Sequence, residues 1–361
     1  MNGQAQGSII DMQDEKMVAA LRRAIGSAFA VQHILDYEND VEITSAILME
    51  KIRTSRTVDL FDTLQRFQMD FLTGIAFSES NDFLRSNKEV RTMSFYTRFA
   101  HWMQWQSMPT LERFLFRPPY LSRFVKSPIP VWAQLARQKL RSRLDASKVA
   151  RSSRQQPDLL QKYIDAGERH KDTVNPVVVQ NMVSSTISAG FDTTAFTMAN
   201  MIYYLLKYPS TLQKLQEELE DAMGRGQLSN PPTYSEAEKL KYLTAVMKEA
   251  MRCYPFLSLL LERVVPDGGA TIAGTWLTGG TVVDCHPTIV HRDRECFGVD
   301  ADIFRPERWL TEDTERLLAM ERASLGFGSG KRMCIGRHIA ELEIKKVIPA
   351  LLLRFKVGGS P

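Results

Sequence analysis

From Asn175 to Lys207 the sequence keeps helical character without a break. Asn175 suits an N-cap and Pro176 fits the first helical turn, while Pro209 ends the run. At 1.5 Å per residue such a helix is roughly 50 Å long, enough to cross a whole domain.

The segments around it are also mostly helical. Helices are expected over 14–30, 37–53, 60–73 and 87–106, and a basic amphipathic helix over 132–151. Residues 106–130 are rich in proline and aromatics and read as a loop with short turns. Residues 152–157 read as a polar linker. Ser210 with Gln213 suggests a capping box for a helix ending near Gly224, and another helix is expected over 235–253, stopping before Pro255. Between Glu262 and Asp284 valine, threonine and glycine predominate. Gly268-Gly269 and Gly279-Gly280 are turn signals there, so the segment reads as short strands and hairpins. An irregular stretch over 285–310 and a last helix from near Cys334 to about Leu353 complete the pattern. The fold class is mainly α with a small β-sheet region, in one domain.

Composition narrows the function. With 44% apolar and 24% charged residues, the 361-residue chain can bury a sizeable core. A net charge of +4 is too small to argue for nucleic acid. The basic run Arg137, Lys139, Arg141, Arg143, Lys148, Arg151, Arg154 could suggest nucleic acid but reads rather as a solvated helix face. The four cysteines, Cys253, Cys285, Cys296 and Cys334, form no CxxC pair and no zinc-type spacing, and the six histidines form no HExxH. Residues 1–16 are polar and acidic, unlike a secretory signal, and no apolar run reaches the length of a membrane span.

The chemistry is concentrated in Phe327-x-x-Gly330-x-Arg332-x-Cys334-x-Gly336, just before the last helix. A cysteine at a helix start meets the positive end of the helix dipole and nearby amide protons, and both favour the thiolate that binds a metal. Gly328, Gly330 and Gly336 permit a tight loop with backbone close to a flat ligand. Arg332 can pair with a carboxylate, and Phe327 can shield the sulfur. The competing reading is a buried structural cysteine in a glycine-rich turn. Five fixed positions weigh against it, since they would coincide by chance in roughly one chain in ten thousand of this length.

Two further constellations stand out. Ala189-Gly190-Phe191-Asp192-Thr193-Thr194 lies inside the long helix. Glycine there costs about 1 kcal/mol relative to alanine, and threonine can turn its hydroxyl to the backbone and bend the helix. Small residues followed by an acid and an alcohol leave room for a cofactor and supply proton-relay groups; a small-residue helix crossing is the other reading. Glu249 and Arg252 share a helix face at i,i+3 spacing.

These residues resemble the heme-binding loop, oxygen-side helix and E-x-x-R helix of the cytochrome P-450 family, and Phe304-Arg305-Pro306-Glu307-Arg308-Trp309 is similar to its F-x-P-x-R pattern. The resemblance covers nearly the whole chain. It implies heme with iron ligated by Cys334, Thr193 hydrogen-bonding the bound dioxygen, Asp192 helping to deliver protons, and Arg332 holding a propionate. It implies a buried triad of Glu249, Arg252 and Arg308 that anchors the loop carrying Cys334. Arg263 and Arg22 match propionate-contacting arginines of relatives, with plain surface charge as the alternative. Where relatives place a tryptophan or histidine four residues before that second arginine, this chain has Val18. Trp102, Trp105, Phe114, Phe116 and Tyr120 fall where the family places its substrate lid, and would form a channel, a peripheral membrane contact or ordinary core.

The activity implied is a monooxygenase acting on a small apolar metabolite, with electrons from NADPH through NADPH-cytochrome P-450 reductase at the cytosolic face of the endoplasmic reticulum. The phrasing over 262–310 looks like the fungal pisatin demethylase-like group of specialised metabolism. Compared with relatives, the single domain over residues 1–361 is expected to lack the N-terminal anchor, the first sheet and the C-terminal hairpin. Two rivals accompany this reading: a reductase-independent heme-thiolate peroxygenase or isomerase, and an inactive truncated heme protein.

Overall fold

Asn175 caps the long helix as its side chain dictates: Oδ1 accepts from the amide of Val178 at 3.0 Å. In the computed structural model, which describes residues 8–10, 12–88, 90, 108, 111, 114, 131–146, 157–258 and 261–357, this helix is Pro176–Lys207. The chain divides into two compact units. One comprises Met1–Ala195 with His338–Glu343, the other Phe196–Arg337 with Ile344–Pro361.

In the first unit, helix α1 (Glu15–Ile25) starts where Asp14 accepts from the amides of Lys16 and Met17. It buries Val18, Leu21, Ala24 and Ile25 on one face, the 3–4 spacing of an amphipathic helix. The expected helix over 14–30 ends early, because the chain tightens into a 3₁₀ turn over Gly26–Phe29. Helix α2 (Glu38–Thr54) packs on α3 (Leu60–Phe77). Helix α3 is buried along most of its length, with Phe67 and Phe71 stacked at 6.4 Å between ring centroids. Asp59 caps its start, and Ser78 ends it in the left-handed region at φ 62°.

Helix α4 (Val131–Ala146) follows, then α5 (Leu159–Arg169). Helix α5 is not among the expected helices. Asp158 starts it by accepting from the amide of Gln161 at 2.9 Å, and the same carboxylate pairs with Arg143 of α4 and accepts from Ser78. The expected helix over 87–106 and loop over 106–130 lie largely outside the described residues. Of them, Asn87 adopts a left-handed turn and Phe114 is exposed.

The Pro176–Lys207 helix is α6. Within it Gly190 allows a close approach of α3. A Cβ there would sit 3.0 Å and 3.1 Å from the two methyl carbons of Leu72, so the propensity cost of the glycine is offset by packing.

In the second unit α7 (Pro209–Gly224) opens with Pro209 in its first turn. The Ser210–Gln213 capping box is not formed: Tyr208 holds the N-cap position and makes no side-chain cap. The helix expected over 235–253 is two pieces, a turn at Tyr234–Ala237 closed by a Thr233–Glu236 capping box, then α8 (Lys241–Cys253). Glu218 of α7 accepts from the amides of Tyr242 and Leu243 at 2.7 and 2.9 Å, placing negative charge at the start of α8.

The strand region forms two antiparallel pairs. Strand β1 (Arg263–Val264) pairs with β4 (Val282–Val283), and β2 (Ala270–Ile272) with β3 (Thr275–Leu277). The β2–β3 hairpin turns through Ala273 and Gly274, both at positive φ, as a two-residue primed turn requires. After a meander of short turns come α9 (Thr314–Ala323), a second helix beyond those expected, and α10 (Arg337–Arg354). Ala245, Phe297, Ala301, Trp309 and Met320 form a core beneath the meander.

Candidate active site around Cys334

The segment from Leu325 to Gly336 is a turn held by its own backbone. The amide of Gly328 donates to Leu325 O at 2.8 Å, that of Met333 to Gly330 O at 3.1 Å, and that of Cys334 to Phe327 O at 2.8 Å. Gly328 and Gly330 have φ of 68° and 65°, where an L side chain would be strained. Cys334 is exposed, two residues before Gly336, the N-cap of α10. A Cβ on Gly336 would lie 3.9 Å from the sulfur. Phe327 is half-buried, with the guanidinium of Arg337 5.6 Å from its ring centroid, and Arg332 is half-buried in the 3₁₀ turn Gly330–Arg332.

Behind this turn lies a buried charge cluster. Arg252 grips Glu249 with both forks, Nε to Oε2 and Nη2 to Oε1, each at 2.8 Å. Arg308 Nε donates to Oε1 at 2.9 Å. Two contacts not expected from sequence complete the coordination of this carboxylate: Trp309 Nε1 donates to Oε2 at 2.9 Å and the amide of Arg305 to Oε1 at 2.8 Å. The remaining guanidinium protons go mainly to backbone, with Arg308 Nη1 also 3.3 Å from Asp300 Oδ1 and Arg252 Nη2 3.1 Å from Cys253 Sγ. Arg252 donates to the carbonyls of His291, Ala301 and Ile303. Arg308 donates to those of Phe297, Asp300 and Ile303. Two cations and an anion can be buried here because nearly every donor has an acceptor. Phe304 stacks on Tyr204 of α6 at 4.4 Å between centroids.

His291 belongs to the same cluster. It is fully buried, with Nδ1 3.0 Å from Arg252 O and Nε2 accepting from the amide of Leu325 at 2.8 Å. Burial, with the Arg252 and Arg292 cations beside it, lowers its pKa to about 4.

The acid–alcohol pair of α6 is split between two environments. Asp192 is fully buried and its Oδ1 accepts from Gln65 Nε2 of α3 at 2.7 Å. Thr193 is half-buried and donates its hydroxyl to Ala189 O at 2.8 Å, the backbone bond that bends helices. Arg22 is half-buried in the last turn of α1 beside buried Val18. Arg263 is exposed and donates to the carbonyls of Leu261 and Glu262 at 3.3 and 2.7 Å.

The structure thus brings Phe327, Gly330, Arg332, Cys334 and Gly336 into one turn and Glu249, Arg252 and Arg308 into one cluster. Of the residues missed, Trp309 had a signal in its adjacency to Arg308. Gln65 had none, being 127 residues from its partner. Among the described residues no group of three His, Cys, Asp or Glu side chains could hold a bare metal ion, and no helix is long and apolar enough to cross a membrane. A single exposed sulfur on a glycine turn before a helix would instead suit a flat cofactor whose iron takes one thiolate from the protein.

The chain matches the family model described as cytochrome P-450 over residues 2–360. It is similar to a cytochrome P-450 monooxygenase of Aspergillus terreus, 33% identical over 97% of this chain and 73% of the relative. It is also similar to the cytochrome P-450 monooxygenase cicH of Emericella nidulans, 33% identical over 99% of this chain and 73% of the relative. A third relative, the cytochrome P-450 monooxygenase mpaDE of Penicillium brevicompactum, is 31% identical over 99% of this chain and 43% of its own length.

Proposed function

The chain belongs to the cytochrome P-450 family of heme-thiolate monooxygenases, and from that premise we propose that Cys334 would ligate its heme iron. The observation that carries the assignment is the exposed Cys334 thiol on a turn closed by its own amide, immediately before α10. When bound, heme with a thiolate ligand supplies the activation of dioxygen and the insertion of one oxygen atom into an organic substrate.

The chain's own residues have separable tasks. The positive end of α10 favours the Cys334 sulfur as thiolate. With heme in place Phe327 would help to shield the sulfur from water. Arg332, with Arg22 and Arg263, would hold the propionates. Glu249, Arg252 and Arg308 fix the segment behind the turn. Gln65 holds the Asp192 carboxylate in place, so that Asp192 can take up and release protons without moving. Thr193 Oγ1 donates to Ala189 O, and rotation of that hydroxyl lets it accept one proton while passing on another. We take residues 1–361 as a single domain.

The family draws its electrons from a redox-partner reductase. For this chain we assign NADPH-cytochrome P-450 reductase, at the cytosolic face of the endoplasmic reticulum with peripheral membrane contact. The substrate class is a small apolar specialised metabolite. That class rests on the fungal relatives and on the likeness of residues 262–310 to the pisatin demethylase-like group. The test is turnover of heme-loaded protein with NADPH and reductase under ¹⁸O-labelled dioxygen. One labelled oxygen in the product, with NADPH consumed, is expected. Product formed with peroxide alone and never with reductase would contradict the assignment.

A further inference from the structure

We propose that His291 is a positioning residue for the heme turn: its imidazole ties the backbone of Arg252 to the amide of Leu325, and so sets where the Cys334 turn begins. The inference rests on Cys334 being the iron ligand.

The two ring contacts specify one tautomer. Nδ1 faces the carbonyl of Arg252 at 3.0 Å. A carbonyl only accepts, so Nδ1 carries the hydrogen. Nε2 lies 2.8 Å from the amide of Leu325. An amide only donates, so Nε2 presents its lone pair. Both contacts are met by neutral imidazole and by no other form. The backbone of His291 is fixed from the same side, since its carbonyl accepts from Arg252 Nη1 at 2.7 Å. Arg252 and His291 therefore exchange two hydrogen bonds, and the ring packs edge-on to Phe297 at 6.3 Å between centroids.

Leu325 is the first residue of the turn. Its carbonyl accepts from Gly328, and two residues later the carbonyl of Phe327 accepts from Cys334. A shift of the Leu325 amide is carried through these two bonds to the residue that bears the sulfur. Glu249 organises the arginines, whereas His291 reaches the turn itself.

A histidine that merely filled the core would affect stability and leave the sulfur where it is. Three substitutions separate the cases. His291→Phe keeps a ring and removes both bonds. His291→Asn places its amide near Nδ1, keeping the Arg252 bond and losing the Leu325 bond. His291→Gln reaches further and offers Leu325 a carbonyl acceptor. The first readout is amide hydrogen exchange at Leu325, expected to quicken about tenfold in the Phe and Asn proteins, the effect of one lost hydrogen bond. The second is the red-shifted thiolate band of the reduced carbon monoxide complex. It should decay at least several-fold faster in the Phe and Asn proteins and at the native rate in Gln.

If His291→Phe does not fold, His291→Asn carries the test, because it retains the bond to Arg252. Wild-type band lifetime in the Asn protein, or equal loss in Asn and Gln, overturns the proposal. Failure of the ligand assignment looks different: the wild-type protein itself would then show no thiolate band.

Discussion

Arg308 Nε lies 2.9 Å from Glu249 Oε1, with both side chains wholly shielded from solvent. Arg252 is equally shielded on the other side of the same carboxylate. Removing that one negative charge would leave two buried guanidinium groups around a neutral side chain. Glu249→Gln should therefore cost about 3–5 kcal/mol of stability, as for other buried pairs broken from one side. Denaturant unfolding with heme bound measures this. A loss below about 1 kcal/mol would mean that the cluster does not hold its segment.

Legibility in the sequence followed the range of the interaction. Asn175 and Pro176 are local signals, and α6 begins where they place it. The Ser210–Gln213 box matched a local pattern too, yet Pro209 already occupies the first turn, which moves the cap to Tyr208. Helices α5 and α9 are only 11 and 10 residues long, and at that length packing rather than propensity makes a helix. Glu249, Arg252 and Arg308 were found because a family pattern joined segments 59 residues apart. Nothing local tells that Gln65 meets Asp192 or that Gln68 meets Glu343, since polar residues on a buried helix read as interruptions until their partners are seen.

Glu343 of α10 gives a prediction in pH. It is buried, accepts from Gln68 Nε2, and burial raises its pKa well above the usual carboxylate range. The folded state therefore keeps a proton that the unfolded chain releases near pH 4.5. The stabilisation is full below that pH and declines as pH rises toward the folded value. Glu343→Gln mimics the neutral acid and should abolish this component. Unfolding midpoints of the two proteins should diverge as pH rises from about 4.5, with the variant gaining. Parallel curves would show that the carboxyl is ionised in the fold.

His291 titrates in the opposite sense. Its folded pKa of about 4 lies below its ordinary value of 6.5, and Arg252, Arg292, Glu249 and the ring of Phe297 face it. The unfolded chain takes up the proton first, so stability is full above about pH 6.5 and lost as pH falls toward 4. His291→Gln should flatten that loss while leaving the Glu343 component intact.

The cysteines differ enough to be told apart by alkylation. Cys253 is buried and its pKa is pushed up to about 12 by desolvation and by Glu249. Cys296 is half-buried with its thiol also raised, while Cys285 and Cys334 are exposed. At neutral pH, iodoacetamide should label Cys285 and Cys334 first and Cys253 last. Heme loading should protect Cys334 and leave Cys285 unchanged, as read by peptide mapping. Protection of Cys285 instead would place the cofactor elsewhere.

The central claim is that Cys334 binds heme iron as a thiolate, and the optical spectrum of the reduced carbon monoxide complex tests it most directly. The wild-type chain, loaded with heme, should show a strongly red-shifted Soret band that Cys334→Ser abolishes. An unshifted band in the wild type, or a red-shifted band that survives Cys334→Ser, would contradict it.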